Sequence, residues 1–290
     1  MYKRGYTYIY NILFVLAVLF IIQLIYIRQQ REGFKASIQT FEIPFYIERK
    51  NTDSPLLVSR VPLTLYQSWH TNMVPAKMKE TIYKLLEMNP EFDYYLYSDE
   101  ASSKFIQEHY EKEVADAFAM LKPGAYKSDL WRYCILYKRG GVYLDIKYTT
   151  LSPLVPIVEK HPIVYVKDRW FACSHIKEGP GLYNGFLISP PNNSIFKHCI
   201  DDILNSCRFK LYKSNDLDIT GPCLLAEMVY KYSPNYQSEF KYDELADRQP
   251  VIYYNNTKLC FGYPEYRTEQ KQFQKSAPYG FLWKNKDVYN

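Results

Sequence analysis

The 290-residue sequence has no run of five or more Lys or Arg, no Cys-x-x-Cys pair, no internal repeat and no low-complexity tract. Its net charge of +5 is spread along the chain, so it lacks the electrostatic footprint of a nucleic-acid-binding protein. Histidine is sparse: His70, His109, His161, His175 and His198 are scattered without metal-ligand spacing and read as surface or packing residues. The absence of paired Cys/His spacing likewise argues against structural zinc. No stretch combines low hydrophobicity with unbalanced charge, and 47% hydrophobic with 23% charged residues is the composition of a packed globule. The length suits one substantial domain with an appendage and is short for two full α/β domains.

One long apolar run is present. No charged residue occurs from Tyr6 to Ile27, and as a helix this segment is about 30 Å long, enough to cross a bilayer. Lys3 and Arg4 precede it and Arg28 and Arg31 follow, which leaves orientation open by the positive-inside rule. Gln29-Gln30-Arg31-Glu32 is no cleavage site, so an uncleaved anchor is expected over a cleaved signal peptide. The expected organisation is a tail at 1–8, an anchor at 9–27, a stem at 28–60 interrupted at Ile43-Pro44 and Ser54-Pro55, and one domain at 61–290. A single-pass, type II arrangement with a lumenal domain agrees with sequons at Asn192-Asn193-Ser194 and Asn255-Asn256-Thr257. All six cysteines, Cys134, Cys173, Cys199, Cys207, Cys223 and Cys260, lie beyond the anchor, where an oxidising lumen permits disulfides.

Within the domain, Val61 to Gln67 reads as a buried strand and Pro75 to Met88 as a helix with Met78, Ile82, Leu85 and Leu86 on one face. Tyr94 to Tyr97 reads as a second strand, after which Ser98 or Asp99 caps a helix through Phe105 and Ile106. A further helix spans Ala125 to Lys138, ends at Gly140-Gly141 and leads into the strand Val142-Tyr143-Leu144. This alternation predicts an α/β domain with a largely parallel sheet, whose ligands sit beyond the carboxyl ends of the strands, where Gln67 and Asp145 fall.

Chemistry concentrates between Ala125 and Lys147. Helical spacing puts Asp129 and Arg132 on one face, so a carboxylate and a guanidinium point the same way; alone, that pattern is more often a surface ion pair. A glycine pair then enters an apolar strand that ends on the carboxylate of Asp145, and glycines there permit close approach of a ligand or another backbone.

The run from Pro123 to Lys147, followed by Leu151-Ser152-Pro153-Leu154, resembles the core motif of the family-32 glycosyltransferases, which include initiating mannosyltransferases. Its ending, Asp145-Ile146-Lys147, is similar to variants found in giant-virus members. Val61 to Trp69 looks like that family's opening segment, Asn89 to Tyr94 like its Asn-Pro turn, and Tyr183-Asn184-Gly185-Phe186 and Thr220-Gly221-Pro222 like its later Asn-containing strand and Thr-Gly-Pro turn. The resemblance implies a GT-A-type, Rossmann-like domain that moves a hexose or N-acetylhexosamine from GDP-mannose or a UDP-sugar to a glycan, glycolipid or glycoprotein acceptor, with retention of configuration. It implies catalytic roles for Asp129, Arg132 and Asp145, and donor contacts from Gln67, Trp69, Tyr143, Lys147 and Asn184. It also implies Mn²⁺ or Mg²⁺ on Asp145, the first acid of the family's Asp-x-Asp.

Lys147 stands where the second acid of that motif belongs, replacing an anionic ligand by a cation. Three readings follow: Asp145 holds the metal with help from a later residue, Lys147 itself neutralises the diphosphate, or the chain is a non-catalytic, membrane-tethered carbohydrate-binding scaffold on a glycosyltransferase fold. Asn255, Asn256 and Glu265 are the candidate late ligands, because the stretch Ala277 to Trp283 lacks the family's histidine.

Overall fold

The computed structural model describes residues 13–26, 39–50, 60–274 and 277–290. Residues 13–26 form helix α1, whose apolar side chains from Leu13 to Tyr26 are exposed. Among the described residues no helix is long and apolar enough to cross a membrane, and both ends of the anchor expected at 9–27 lie outside them. The expected tail at 1–8 and most of the stem also lie outside the described residues.

Phe41–Asn290 form one compact unit. Its strands and helices follow in the order β1 (Thr40–Glu42), β2 (Tyr46–Ile47), β3 (Thr64–Ser68), β4 (Met73–Pro75), α2 (Ala76–Met88), β5 (Asp93–Tyr97), α3 (Asp99–His109), α4 (Lys112–Met120) and α5 (Gly124–Arg139). Then come β6 (Gly141–Leu144), β7 (Tyr148–Thr150), α6 (Val155–Lys160), β8 (Val164–Lys167), β9 (Leu182–Ser189), α7 (Ser194–Arg208), α8 (Pro222–Tyr232), β10 (Phe240–Glu244), β11 (Pro250–Tyr254), β12 (Thr257–Gly262), α9 (Tyr266–Phe273) and α10 (Tyr279–Lys284). Ten described strands make one sheet in the order β2-β5-β3-β6-β9-β8-β10-β11-β12-β7. Strand β2, from the segment expected as stem, pairs with β5, so the folded unit begins ahead of residue 61.

The local expectations hold where the sequence pattern is strong. Helix α2 buries Met78, Thr81, Ile82 and Leu85 at helical spacing. Helix α3 is capped by Ser98, whose Oγ accepts from the Ala101 amide at 3.1 Å. Helix α5 ends at Gly140, whose amide donates to the Leu136 carbonyl at 2.9 Å. Gly140 and Gly141 have φ of +65° and +106°, and a Cβ on them would lie 2.6 Å from the Pro191 nitrogen and 2.7 Å from the Thr64 carbonyl oxygen. The close approach anticipated there is therefore made by the chain's own backbone.

The expectation of a largely parallel sheet is corrected. Strands β5, β3 and β6 are parallel, but β9 runs antiparallel between β6 and β8; β10 lies parallel to β8, and the pairs β10–β11, β11–β12 and β12–β7 are antiparallel. Strands buried on both faces show an apolar run whichever way they point, so their sequences did not reveal direction. Along β3, β6 and β9, side chains alternate between two cores: Tyr66, Tyr143 and Leu187 face the layer of α3, α4, α5, α7 and α8, while Leu65, Val142, Leu144, Phe186 and Ile188 face the layer of α2 and α6.

This alternation sets the site. Strands β3, β6 and β8 point the same way, and β9 starts where they finish. Trp69, Asp145, Asp168 and the Tyr183-Asn184 start of β9 therefore gather along one edge of the sheet, the edge at which open α/β sheets bind ligands.

Candidate active site

Helix α5 turns Asp129 and Arg132 inward, leaving them 8% and 6% exposed, so the surface ion-pair reading fails. Such burial requires partners, and they are present. Arg132 donates from Nη1 to the Asn184 carbonyl at 2.7 Å and from Nη2 to Ser128 Oγ at 3.0 Å. The same Nη2 lies 3.3 Å from Asp129 Oδ1 and 3.6 Å from Asp145 Oδ1. Its guanidinium sits 4.3 Å over the Tyr143 ring.

Asp129 accepts from Asn184 Nδ2 at 3.0 Å and from Thr220 Oγ1 at 2.8 Å. Burial is the largest influence on it and pushes its pKa up to about 6, although Arg132 and these hydrogen bonds pull the other way. The Thr220 contact comes from the Thr-Gly-Pro turn that leads into α8. A Cys173–Cys223 disulfide ties the first turn of α8 to the segment after β8; Cys134, Cys199, Cys207 and Cys260 are free and buried.

Asp145 directly follows β6, held by its amide donating to the Gly185 carbonyl at 2.9 Å. Tyr143 Oη donates to its Oδ1 at 2.9 Å, while Lys147 Nζ at 2.6 Å and Tyr183 Oη at 3.1 Å donate to its Oδ2. Burial opposes the charge, but Lys147 and Arg132 outweigh it and hold the carboxyl at about 2. Burial pulls the Lys147 ammonium below its ordinary value, with Asp145 working against that pull. Two carboxylates thus share one largely buried cluster with two cations.

Of the residues expected at the donor, Gln67 is fully buried and joined at both ends: Tyr94 Oη donates to its Oε1 at 3.0 Å, and its Nε2 donates to the Asp145 carbonyl at 3.3 Å. Asn184 links Asp129 to Tyr133, and Tyr143 spends its hydroxyl on Asp145. Trp69 stands outside this network, packed near His70 and Tyr266, and its buried Nε1 has no hydrogen-bond partner among the described residues.

The sequence did not single out Ser128, Tyr148 or Tyr266. Tyr183 and Thr220 lay inside flagged segments without an assigned contact. Asn255 and Asn256, weighed as late metal ligands, form the β11–β12 turn with φ of +45° and +63°. Because β11 runs opposite to β6, that turn lies at the far edge of the sheet. Their signal was turn chemistry. Glu265 is exposed at the start of α9.

The described side chains around Asp145 do not offer a divalent metal a ligand set. All four carboxylate oxygens of Asp129 and Asp145 already accept hydrogen bonds, and two cations flank them. The described His/Cys/Asp/Glu cluster with ligand-like spacing is His175, Asp218 and Cys223, and there Cys223 is committed to the disulfide.

Residues 75–164 match the family described as "Glycosyltransferase sugar-binding region containing DXD motif". The chain is 28% identical over 187 residues to mannosyl phosphorylinositol ceramide synthase SUR1 of Saccharomyces cerevisiae, covering 64% of this chain and 46% of that protein. It is 28% identical over 139 residues to the initiation-specific alpha-1,6-mannosyltransferase of Candida albicans, covering 44% and 33%. It is 22% identical over 178 residues to the uncharacterized glycosyltransferase L373 of Acanthamoeba polyphaga mimivirus, covering 60% and 67%. The chain thus spans about half, or less, of the length of these yeast relatives. These matches bear out the resemblance to the family-32 enzymes, and within the matched residues 75–164 Lys147 stands where the second acid of the motif is expected.

Proposed function

We propose that this chain is a GT-A-type glycosyltransferase that moves a hexose, mannose above all, from a nucleoside diphosphate sugar to a hydroxyl of a glycan or lipid-linked acceptor. The observation that carries this reading is the convergence of Asp129, Arg132 and Asp145 into one buried cluster within the matched segment. Two relatives bear names of mannose-transferring enzymes, one of them a mannosyl phosphorylinositol ceramide synthase, which favours mannose and admits a lipid.

In this reading the Asp129 carboxylate accepts from hydroxyls of the transferred sugar and Arg132 donates to them. Tyr143, Gln67 and Asn184 fix the two carboxylates in place, and Trp69 offers its ring and orphan Nε1 to the donor. The bond from the anomeric carbon to the diphosphate breaks, its electrons leave on the phosphate oxygen, and the acceptor oxygen bonds the same carbon while its proton passes to that phosphate. Attack on the face the diphosphate leaves retains configuration. The barrier falls because the charges around the reacting atoms are already in position.

The membrane-anchored, lumenal arrangement is part of the same proposal, supported by the exposed apolar side chains of α1. The test is nucleotide release by the full chain, in detergent, from a panel of GDP- and UDP-sugars. Release from one donor class supports transfer and names the base; carbohydrate binding without release from any donor favours the scaffold reading.

A further inference from the structure

Both carboxylate oxygens of Asp145 are engaged by donors of the chain itself. Its Oδ1 is occupied by Tyr143 and faces Arg132, and its Oδ2 is occupied by Lys147 and Tyr183. A Cβ on Gly185 would lie 2.6 Å from Oδ2, so the β9 backbone closes that side as well. A dication on this carboxylate would sit between the Lys147 ammonium and the Arg132 guanidinium, repelled by both. Arg267, at the start of α9, adds a further positive charge acting on Lys147.

Lys147 is held as carefully as a bound ion. The Tyr148 amide donates to the Asp145 carbonyl at 3.0 Å, and this tight turn brings the Lys147 side chain back over the carboxylate two residues earlier. The Tyr263 amide donates to the Lys147 carbonyl at 3.1 Å, tying the turn to the end of β12. The ammonium lies 5.1 Å, 5.5 Å and 5.7 Å from the ring centres of Tyr148, Tyr183 and Tyr266. Ring faces favour a cation, which supports a charged lysine in a buried place. The cage is itself braced: Tyr183 stacks on Tyr242 at 4.1 Å, and the Tyr148 and Tyr183 hydroxyls lie 3.1 Å apart.

One of the three N–H donors of Nζ is spent on Asp145, and no other hydrogen bond to Nζ occurs among the described residues. Two donors therefore remain for an anion. A compact ammonium on a flexible stem can also follow a phosphate oxygen as negative charge grows on it.

We propose that Lys147 is the built-in cation of a metal-free diphosphate site, donating to the phosphate oxygens of the sugar nucleotide while Asp145 serves as its counter-anion and anchor. The assignment rests on the transferase reading above and specifies how the leaving group is neutralised. When the anomeric C–O bond breaks, the electron pair departs on the diphosphate oxygen under the Lys147 charge. The acceptor's proton ends on that oxygen, so the nucleoside diphosphate leaves with no added ion.

The experiment uses the full chain with three readouts: nucleotide release in Mn²⁺, Mg²⁺ and EDTA; GDP and UDP binding in EDTA; and Mn²⁺ binding by paramagnetic resonance titration. The expected results are release in EDTA within about twofold of that in Mn²⁺, nucleotide diphosphate binding in EDTA, and no stoichiometric Mn²⁺ site. Lys147→Met, uncharged and of similar length, should lower release at least a hundredfold and weaken GDP or UDP binding. Lys147→Asp, which restores the second acid, should bind Mn²⁺ and release nucleotide only in its presence. Folding of both variants is checked by circular dichroism, and the wild-type comparison stands without them. Release that collapses in EDTA and returns with Mn²⁺ overturns this assignment and leaves the transferase reading intact. Diphosphate binding in EDTA without release from any donor supports the site and removes the transferase. Absence of both binding and release overturns the two together.

Discussion

Asn184 donates from Nδ2 to Asp129 Oδ1 at 3.0 Å, joining the start of β9 to the middle of α5 across 55 residues of chain. The bond is buried and fixes the orientation of the carboxylate assigned to the sugar. Asn184→Ala should lower stability by about 1–3 kcal/mol, because Tyr133 and Asp129 both lose a donor. It should also weaken donor binding and move the acid limb of the rate profile to higher pH, since a hydrogen bond that favours the carboxylate is gone. Urea unfolding and a pH series of nucleotide release check the two parts.

Acidity supplies a second prediction. Asp129 titrates at about 6 in the folded chain, so nucleotide release should rise with pH through about 6 as the carboxylate forms. Stability moves the opposite way. The folded state binds this proton more tightly than the unfolded chain, so the contribution is full below the unfolded value of about 3.9 and is lost as pH rises through about 6, a change of about 3 kcal/mol. Relative to Asp129→Asn, the wild type should gain stability as pH falls from 7 to 4. Asp145, held at about 2, has the reverse sign: its contribution is present above the unfolded value and disappears as pH falls through about 2. Urea midpoints across pH for the wild type and the Asn variant measure the Asp129 slope.

Arg132 faces both carboxylates, 3.3 Å from Asp129 and 3.6 Å from Asp145. Arg132→Met should destabilise the chain by about 3–5 kcal/mol by leaving buried charge uncompensated. Arg132→Lys should restore part of the stability and little of the release, because an ammonium cannot reach Asn184, Ser128 and both carboxylates together. Thermal melts beside nucleotide release separate these effects.

Glycines give a stability contrast outside the chemistry. Gly141→Ala places a Cβ 2.7 Å from the Thr64 carbonyl oxygen at a φ of +106°, and should cost about 1–3 kcal/mol or more. Gly124→Ala, in the first turn of α5 with nothing within 4 Å, should stabilise by about 0.4–1 kcal/mol. Urea denaturation reads both.

Much of the first half of the fold was legible. Helices α2, α3 and α5 fell near their apolar spacing and capping signals, and the three-residue step from Asp129 to Arg132 correctly put both on one face. Strand direction was not legible: Phe186 to Ile188 read as the same apolar run whether β9 is parallel or antiparallel to β6. The tyrosine cage was also hidden. Tyr148 is the next residue in the chain, but Tyr183 and Tyr266 are distant in sequence, and only the sheet order and α9 bring their rings to Lys147. Lys147 itself was visible as a departure from the expected acid, but its 2.6 Å contact with Asp145 required the fold.

The most direct test of the central claim is nucleotide release by the full chain and by Asp145→Ala, with folding of each verified by circular dichroism. The account predicts release by the wild type and a loss of at least a hundredfold in a folded variant. A folded Asp145→Ala chain that still releases nucleotide at the wild-type rate would contradict it.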